Sequence, residues 1–370
     1  MITGLEQVPQ RDRQIRRGGH VERRCFAARA KRALIILDNA ASPQQVRPLL
    51  PGSAGCAVVV TSRSRLSGLV ARDGATRITL APLRDVEAVA LLRETVGSKR
   101  VEAEPEAVDE VVRLCGGLPL ALRIAADHAA GSGSLQPAEL AGQLTDERNR
   151  LQVLTTDDDD TAVRAAFSWS YRGLPAEAAR AFRLLGLHPG AECALPAAAA
   201  LVGLAVSGTR RVLGTLTGAH LVEEVAADRY RLHDLLAMYA AERARHEEPG
   251  PVRDEATRQI LSWYLHTAEA ADRVLIPRRQ RPPLGAPGPG IEPLAFASYE
   301  EAFDWCETER VNLAAAIQHA AAAGNDVIAW QLPAALGAYL KLSRRWDDWT
   351  ATHRTGLAAA RRLADRAAEA

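Results

Sequence analysis

The chain has 370 residues, 47% of them hydrophobic and 25% charged, with a formal net charge of +1. That length allows two or three domains with their own cores, and near-neutrality excludes a global electrostatic pull toward nucleic acid or an anionic membrane. Five cysteines, Cys25, Cys56, Cys115, Cys193 and Cys306, stand far apart with no C-x-x-C pair, a pattern of reduced structural thiols rather than of a disulfide framework or a zinc site. The polar start has no apolar signal core and no run approaches the ~18 apolar residues that span a bilayer, so a cytoplasmic protein without a membrane partner is expected.

Residues 1–31 are rich in arginine (Arg11, Arg13, Arg16, Arg17, Arg23, Arg24, Arg29), and Gly18 and Gly19 interrupt any helix. They read as a solvated arm, with anion binding as the alternative. Two continuous apolar runs follow, "ALIILDN" from Ala33 and "CAVVVTSRS" from Cys56. Runs without alternation predict strands buried on both faces of a parallel sheet, and "PQQVRPLLPGSAG" between them supplies a short crossover helix and a Pro-Gly turn. A third run, "RITLAPL" (Arg77 to Leu83), reads as another strand.

From Asp85 the period becomes helical. "DVEAVALLRETVG" opens on an acid and stops on glycine, "PEAVDEVVRLCGG" opens on Pro105 and stops on two glycines, and "LPLALRIAADHAAG" starts at Pro119. "PAELAGQLTDERNRLQVL" follows. Asp157 to Asp160 form a run that reads as a solvated linker rather than a metal site. Across 161–248 several short helices precede "HLVEEV" and "RYRL", which flank an Ala-Ala-Asp turn as a hairpin, and a helix starts at Asp234. Helices followed by a β-wing are the order of a winged helix. A further helix near 252–275 ends at "IPRRQRPPLGAPGPGIEP", a Pro/Gly linker. Three consecutive helices beyond it keep an α-hairpin rhythm resembling tetratricopeptide repeats, with too few units to fix a period.

Four segments recur in an ordered set: "LIILDNA" ending on Asp38, "VVVTSR" ending on Arg63, "GGLPLAL" with Leu118 and Pro119, and "YRLHDLLAMYA" with His233. Taken singly, each has a structural reading: Asp38 as a turn or cap residue, Arg63 as a surface charge, Pro119 as a helix start, His233 as a capping or packing histidine. As a set they resemble the NB-ARC branch of the STAND signal-transduction ATPases, most closely the SARP-type multidomain transcriptional regulators. The resemblance runs from about Leu34 to the end.

The resemblance implies a fold: a partial P-loop NTPase α/β sheet (1–84), a helical domain (85–155), a winged helix (156–248), a connecting helix (249–276), a linker (277–295) and TPR-like α-hairpins (296–370). It also implies roles. Asp38 matches the acid that reaches magnesium, Arg63 the arginine that senses the terminal phosphate, Leu118 and Pro119 the adenine contact, and His233 the histidine that touches the β-phosphate of ADP and keeps the winged helix closed.

The phosphate cradle itself, G-x-x-x-x-G-K-[ST], does not occur. The three lysines, Lys31, Lys99 and Lys341, follow Ala30, Ser98 and Leu340. The expectation is therefore a chain that begins inside the nucleotide domain, with binding of ADP or ATP with Mg weak or lost. Asn39 stands where relatives carry a second acid, so no significant hydrolysis is expected. The leading reading is a regulatory switch module, not an enzyme, that docks a protein partner through its helical repeats, with self-association left open. A nucleotide-independent scaffold is the alternative. A DNA-binding winged helix is less favoured, because the recognition helix offers only Arg210 and Arg211.

Overall fold

The computed structural model of the chain describes residues 33–52, 55–131, 136–145, 150, 154, 163–364 and 366–369. The arginine-rich segment 1–31, with Lys31 and Cys25, and the aspartate run 157–160 lie outside the described residues. The chain divides into two compact units, Met1–Arg77 and Ile78–Ala370.

In the first unit, β1 (Ala33–Leu37) and β2 (Cys56–Val60) pair in parallel, Ala33 opposite Cys56 through to Leu37 opposite Val60. The crossover holds α1 (Pro43–Val46), opened by proline at its first turn, and then a 3-10 turn. Val46 and, on α2 (Ser67–Asp73), Leu69 are buried, and Arg47 ties the two helices by donating to Asp73 (3.0 Å) and to the Gly68 carbonyl (3.0 Å).

Two expectations for this region are corrected. The strands are not buried on both faces: Leu34 and Ile36 are each 63% exposed. The apolar runs predicted the pairing, but two strands cannot cover each other's faces, which takes further layers. Nor is Arg77 to Leu83 a strand. It has no ladder partner among the described residues, and Ile78 and Leu80 stand almost fully exposed. A strand needs a neighbour for its N–H and C=O groups, which a sequence pattern does not supply.

The second unit is mostly helical. Residues with start and stop signals form helices where the sequence marks them, α3 (Asp85–Val96), α5 (Pro105–Cys115), α6 (Pro119–Gly131) and α7 (Pro137–Thr145), and a short helix the sequence reading missed, α4 (Ser98–Ala103), lies between the first two. Val108, Val111, Val112 and Cys115 make the buried stripe of α5. Next come α8 (Val163–Arg172), α9 (Ala176–Leu185), β3 (Glu192–Ala194), α10 (Leu195–Val202), α11 (Val206–Gly218), β4 (Glu223–Ala226), β5 (Arg229–Arg231) and α12 (Asp234–Glu247).

The hairpin β4–β5 forms where expected, its turn closed by Asp228 in the left-handed region. The sequence reading missed β3, which pairs antiparallel with β5 to complete a three-stranded sheet in the order β3-β5-β4. Tyr239 of α12 packs on Phe167, Tyr171 and Phe182, fixing this helix on α8 and α9.

The long α13 (Gly250–Leu275) carries the fully buried Trp263 and Tyr264. The Pro/Gly segment after it packs back along this helix: Arg279 and Arg281 both pair with buried Asp272, the Trp263 indole N–H donates to Glu292 O (3.0 Å), and Ile291 is buried. Then α14 (Tyr299–Ala322), α15 (Asp326–Leu342) and α16 (Trp346–Arg362) stack as hairpins before the short α17 (Arg366–Glu369). Ion pairs Arg310–Asp348 and Arg362–Asp326 link their exposed edges. Among the described residues no helix is long and apolar enough to cross a membrane. The described cysteines are free thiols, and burial pushes Cys115 and Cys306 up to about 12, which keeps them protonated and inert.

Candidate functional site

In the first unit, Asp38 and Arg63 both lie just past the carboxyl ends of parallel strands, where open α/β sheets place ligands. Both are exposed. Thr61 holds the Asp38 side of this edge: its hydroxyl donates to Asp38 Oδ1 and accepts from the Asn39 N–H (2.8 Å). The Ala40 N–H donates to Thr61 O (2.9 Å), and the Ser62 hydroxyl donates to Ala40 O (2.6 Å). Asn39 takes a left-handed φ of 56°, so the chain turns sharply after the carboxylate.

In the second unit, α5 ends on two glycines with left-handed φ, Gly116 (61°) and Gly117 (65°). These positions need glycine for space as well as for conformation. A Cβ on Gly116 would lie 1.8 Å from Cε1 of His233, and one on Gly117 would lie 2.6 Å from Leu83 O. The Leu83 N–H donates to Gly117 O (2.8 Å), pinning the start of α3 against the turn. Leu118 is half-buried against the core, whereas Pro119 is exposed at the first turn of α6.

His233 occupies the gap the missing side chain leaves. It is the N-cap of α12: Nδ1 accepts from the Leu235 N–H (3.4 Å), while Nε2 lies 2.8 Å from Gly116 O. Those two contacts make Nδ1 the acceptor and Nε2 the donor, reaching across to the glycine turn. Asp234 adds charge complementarity to the same contact. The Arg113 guanidinium, near the end of α5, is pushed up first by its pair with Glu110, with a further contribution from Asp234.

Each unit thus assembles its own part of the sequence-predicted set: Asp38 and Arg63 at one sheet edge, and His233 with the turn leading into Leu118 and Pro119. The sequence reading missed Gly116 as the histidine's acceptor and Thr61 as the orienting group for Asp38. The signal for Gly116 was present, since two glycines at a helix end exceed what a single left-handed cap requires.

As it stands, His233 has no ring nitrogen left to meet a phosphate, and Gly-Lys-Ser/Thr occurs nowhere in the chain. Among the described residues no three His, Cys, Asp or Glu side chains converge to hold a metal ion, which leaves Asp38 a single carboxylate at its strand end. What the histidine arrangement does chemically is join two elements: an imidazole seated in a glycine notch, with a hydrogen bond and a helix cap on the same ring.

Arg210 and Arg211 lie on α11, and both are paired. Arg210 forms a two-pronged ion pair with Asp228, and Arg211 meets Glu177 at 3.1 Å. These cations are therefore already neutralised by neighbours.

No family model matches the chain. Regulatory protein AfsR of Streptomyces griseus is 42% identical over 299 residues, which cover 80% of this chain and 30% of that protein. Regulatory protein AfsR of Streptomyces coelicolor is 40% identical over 300 residues, covering 79% and 29%. The chain spans less than a third of the length of these curated relatives. Over about four-fifths of its length, the chain is homologous to the AfsR-type regulatory proteins.

Proposed function

We propose that this chain is the switch and docking module of a bacterial transcriptional regulator of the AfsR type, NB-ARC-like in descent and without a hydrolytic step of its own. The observation that carries the reading is the His233 latch, an imidazole seated on Gly116 O in a notch only glycine permits. A helix, a strand, two helices and a hairpin, α9 to β5, support the winged-helix reading of the region whose exit the latch fixes. Regulatory relatives with this segment in common support the role. In this reading the latch itself holds the closed state, and ADP or ATP with Mg contributes weakly or not at all.

A Mg-ADP titration followed by thermal melting and calorimetry tests the nucleotide part. Stabilisation follows RT ln(1 + [L]/Kd), so about 1 mM ligand adds ~0.4 kcal/mol at a Kd near 1 mM and ~4 kcal/mol at a Kd near 1 µM. A shift of Tm of about 1 °C or less is expected, and one of about 10 °C would overturn the weak-binding reading. The regulatory part is tested by placing this chain over the matching segment of the Streptomyces coelicolor AfsR protein in a transcriptional reporter strain. Reporter output should stay inducible, and His233→Ala should change basal output about fivefold or more, the size of a typical regulatory coupling. Output unaffected by His233→Ala would sink the switch. The scaffold reading has one observation in its favour, the exposed Trp346 and Trp349 at the tip of the α15–α16 hairpin, since indoles anchor protein partners. It predicts the same lack of Mg-ADP stabilisation together with no effect of His233→Ala.

A further inference from the structure

The stretch from Arg229 to His233 is attached at both ends to distant parts of the second unit. Tyr230 and Leu232 point into the core, so Arg229, Arg231 and His233 fall on the opposite side, as the two-residue period of an extended chain requires. At its far end His233 is latched to Gly116. At its near end Arg229 reaches Glu309 of α14 (2.5 Å) and Glu192 of β3 (2.6 Å).

Glu309 is 1% exposed. Its carboxylate also accepts from Asn312 Nδ2 (2.6 Å) and from the Tyr264 hydroxyl (3.3 Å), and Asn312 donates in addition to the backbone of β3 (2.9 Å). The fit is close: a Cβ on Gly190 would lie 1.9 Å from Asn312 Oδ1. A buried carboxylate with one cationic partner cannot let that partner go without being left unpaired. The arginine, and with it the short strand β5 (3 residues), must follow α14.

We infer that β5 and the two residues after it form a lever coupling α14 of the helical array to the His233 latch. A partner that displaces α14 pulls Arg229 and unseats His233 from the glycine notch, and opening the latch loosens α14 by the same coupling. The latch supplies the two discrete arrangements such coupling needs, ring seated or ring out. This goes beyond the proposed function and is independent of nucleotide, so its test uses the chain without ADP and stands or falls separately from the titration above.

Hydrogen exchange on the whole chain reads the lever at residues 112–120, where the Gly116 and Gly117 amides donate to Arg113 O and Val112 O. Glu309→Gln keeps the shape and removes the charge. It should speed exchange at 112–120 about tenfold while α11 keeps its wild-type rate. His233→Ala should speed 112–120 and, reciprocally, 306–314. The double variant should exchange at 112–120 no faster than His233→Ala alone. Tyr264→Phe removes the hydroxyl's hydrogen bond to Glu309 together with its contact to His188 Nε2 (3.0 Å) and retains the ring, and it should give the same pattern at about threefold should Glu309→Gln fail to fold. Acceleration confined to 188–192 and 229–231, with 112–120 unchanged in both variants, would overturn the lever, as would effects that multiply in the double variant.

Discussion

Substituting Gly116 by alanine tests the latch most directly, because two costs are separable there. The left-handed φ of 61° costs an alanine about 1–2 kcal/mol. The new Cβ, 1.8 Å from the His233 ring, must also expel the imidazole. Expulsion loses the hydrogen bond to Gly116 O, about 1 kcal/mol, and the cap on α12, about 1 kcal/mol. Gly116→Ala should therefore cost about 3–4 kcal/mol and His233→Ala about 2 kcal/mol. Once the ring is gone only backbone strain remains, so adding Gly116→Ala to His233→Ala should cost a further 1–2 kcal/mol, about 2 kcal/mol less than in the wild type. Gly324→Ala is the control, with a φ of 73° and nothing within 4 Å of its Cβ, and should show the strain alone, about 1–2 kcal/mol. Urea titrations followed by far-ultraviolet circular dichroism measure all four variants. Equal costs for Gly116→Ala and Gly324→Ala, unaltered by His233→Ala, would refute the reasoning that space at Gly116 is reserved for the imidazole.

Burial holds His188, His266, His319 and His353 below the ordinary imidazole range. Their contribution to stability is fully present above that range and is lost as pH falls through 6.5, because the unfolded chain then binds protons the folded chain refuses. The urea midpoint should be lower at about pH 5.5 than at about pH 7.5, and an unchanged midpoint would contradict this assignment. A second loss belongs to more acid solution. Glu307, held low by the Tyr339 hydroxyl and Arg345, and Asp326, held low by Arg362, stabilise the fold above the ordinary carboxylate range and cease to as pH falls through their depressed values. Asp272→Ala leaves Arg279 and Arg281 without their shared buried carboxylate; a loss of about 3 kcal/mol is expected, with faster tryptic cleavage after Arg279, and a wild-type digestion rate would count against the packing of the Pro/Gly segment on α13. DNA should not be retarded in a mobility shift even at low salt, since Arg210 and Arg211 are paired; retardation that strengthens as salt is lowered would favour the DNA-binding alternative.

The helices were legible because their limits are set by local chemistry. Pro105 with Gly116, and Asp85 with Gly97, mark ends that the chain itself can satisfy, whatever packs on top. Strands need partners from elsewhere, and there the reading divides. "ALIILDN" and "CAVVVTSRS" found each other across a short crossover. Arg77 to Leu83, with an equally good pattern, has no ladder among the described residues and stays irregular. The strand Glu192–Ala194 has the opposite history: its three residues carry no periodic signal, and it exists because β5 offers it an edge. Local pattern ranks candidates for strands, and pairing decides among them.

The same division explains why half of the interesting chemistry escaped notice. His233 stood out through its neighbours Leu232 and Asp234, whereas Glu309 sits in "CETERVNL", which reads as one solvated charged turn. Yet the buried positions of α14 are Ala302, Cys306, Glu309, Asn312, Leu313, Ala316, Ile317 and Ala320, and an acid and an amide in the middle of that stripe are costly unless something distant pays back their desolvation. Glu309 thus falls on the buried side of α14, in register with its apolar neighbours. What helical spacing could not name was Arg229, because the partner of a buried charge is fixed by how α14 meets the three-stranded sheet and by nothing within either segment. A buried charge read from periodicity is thus a question put to the rest of the fold, and in this chain the residue that answers it belongs to the strand that carries the latch.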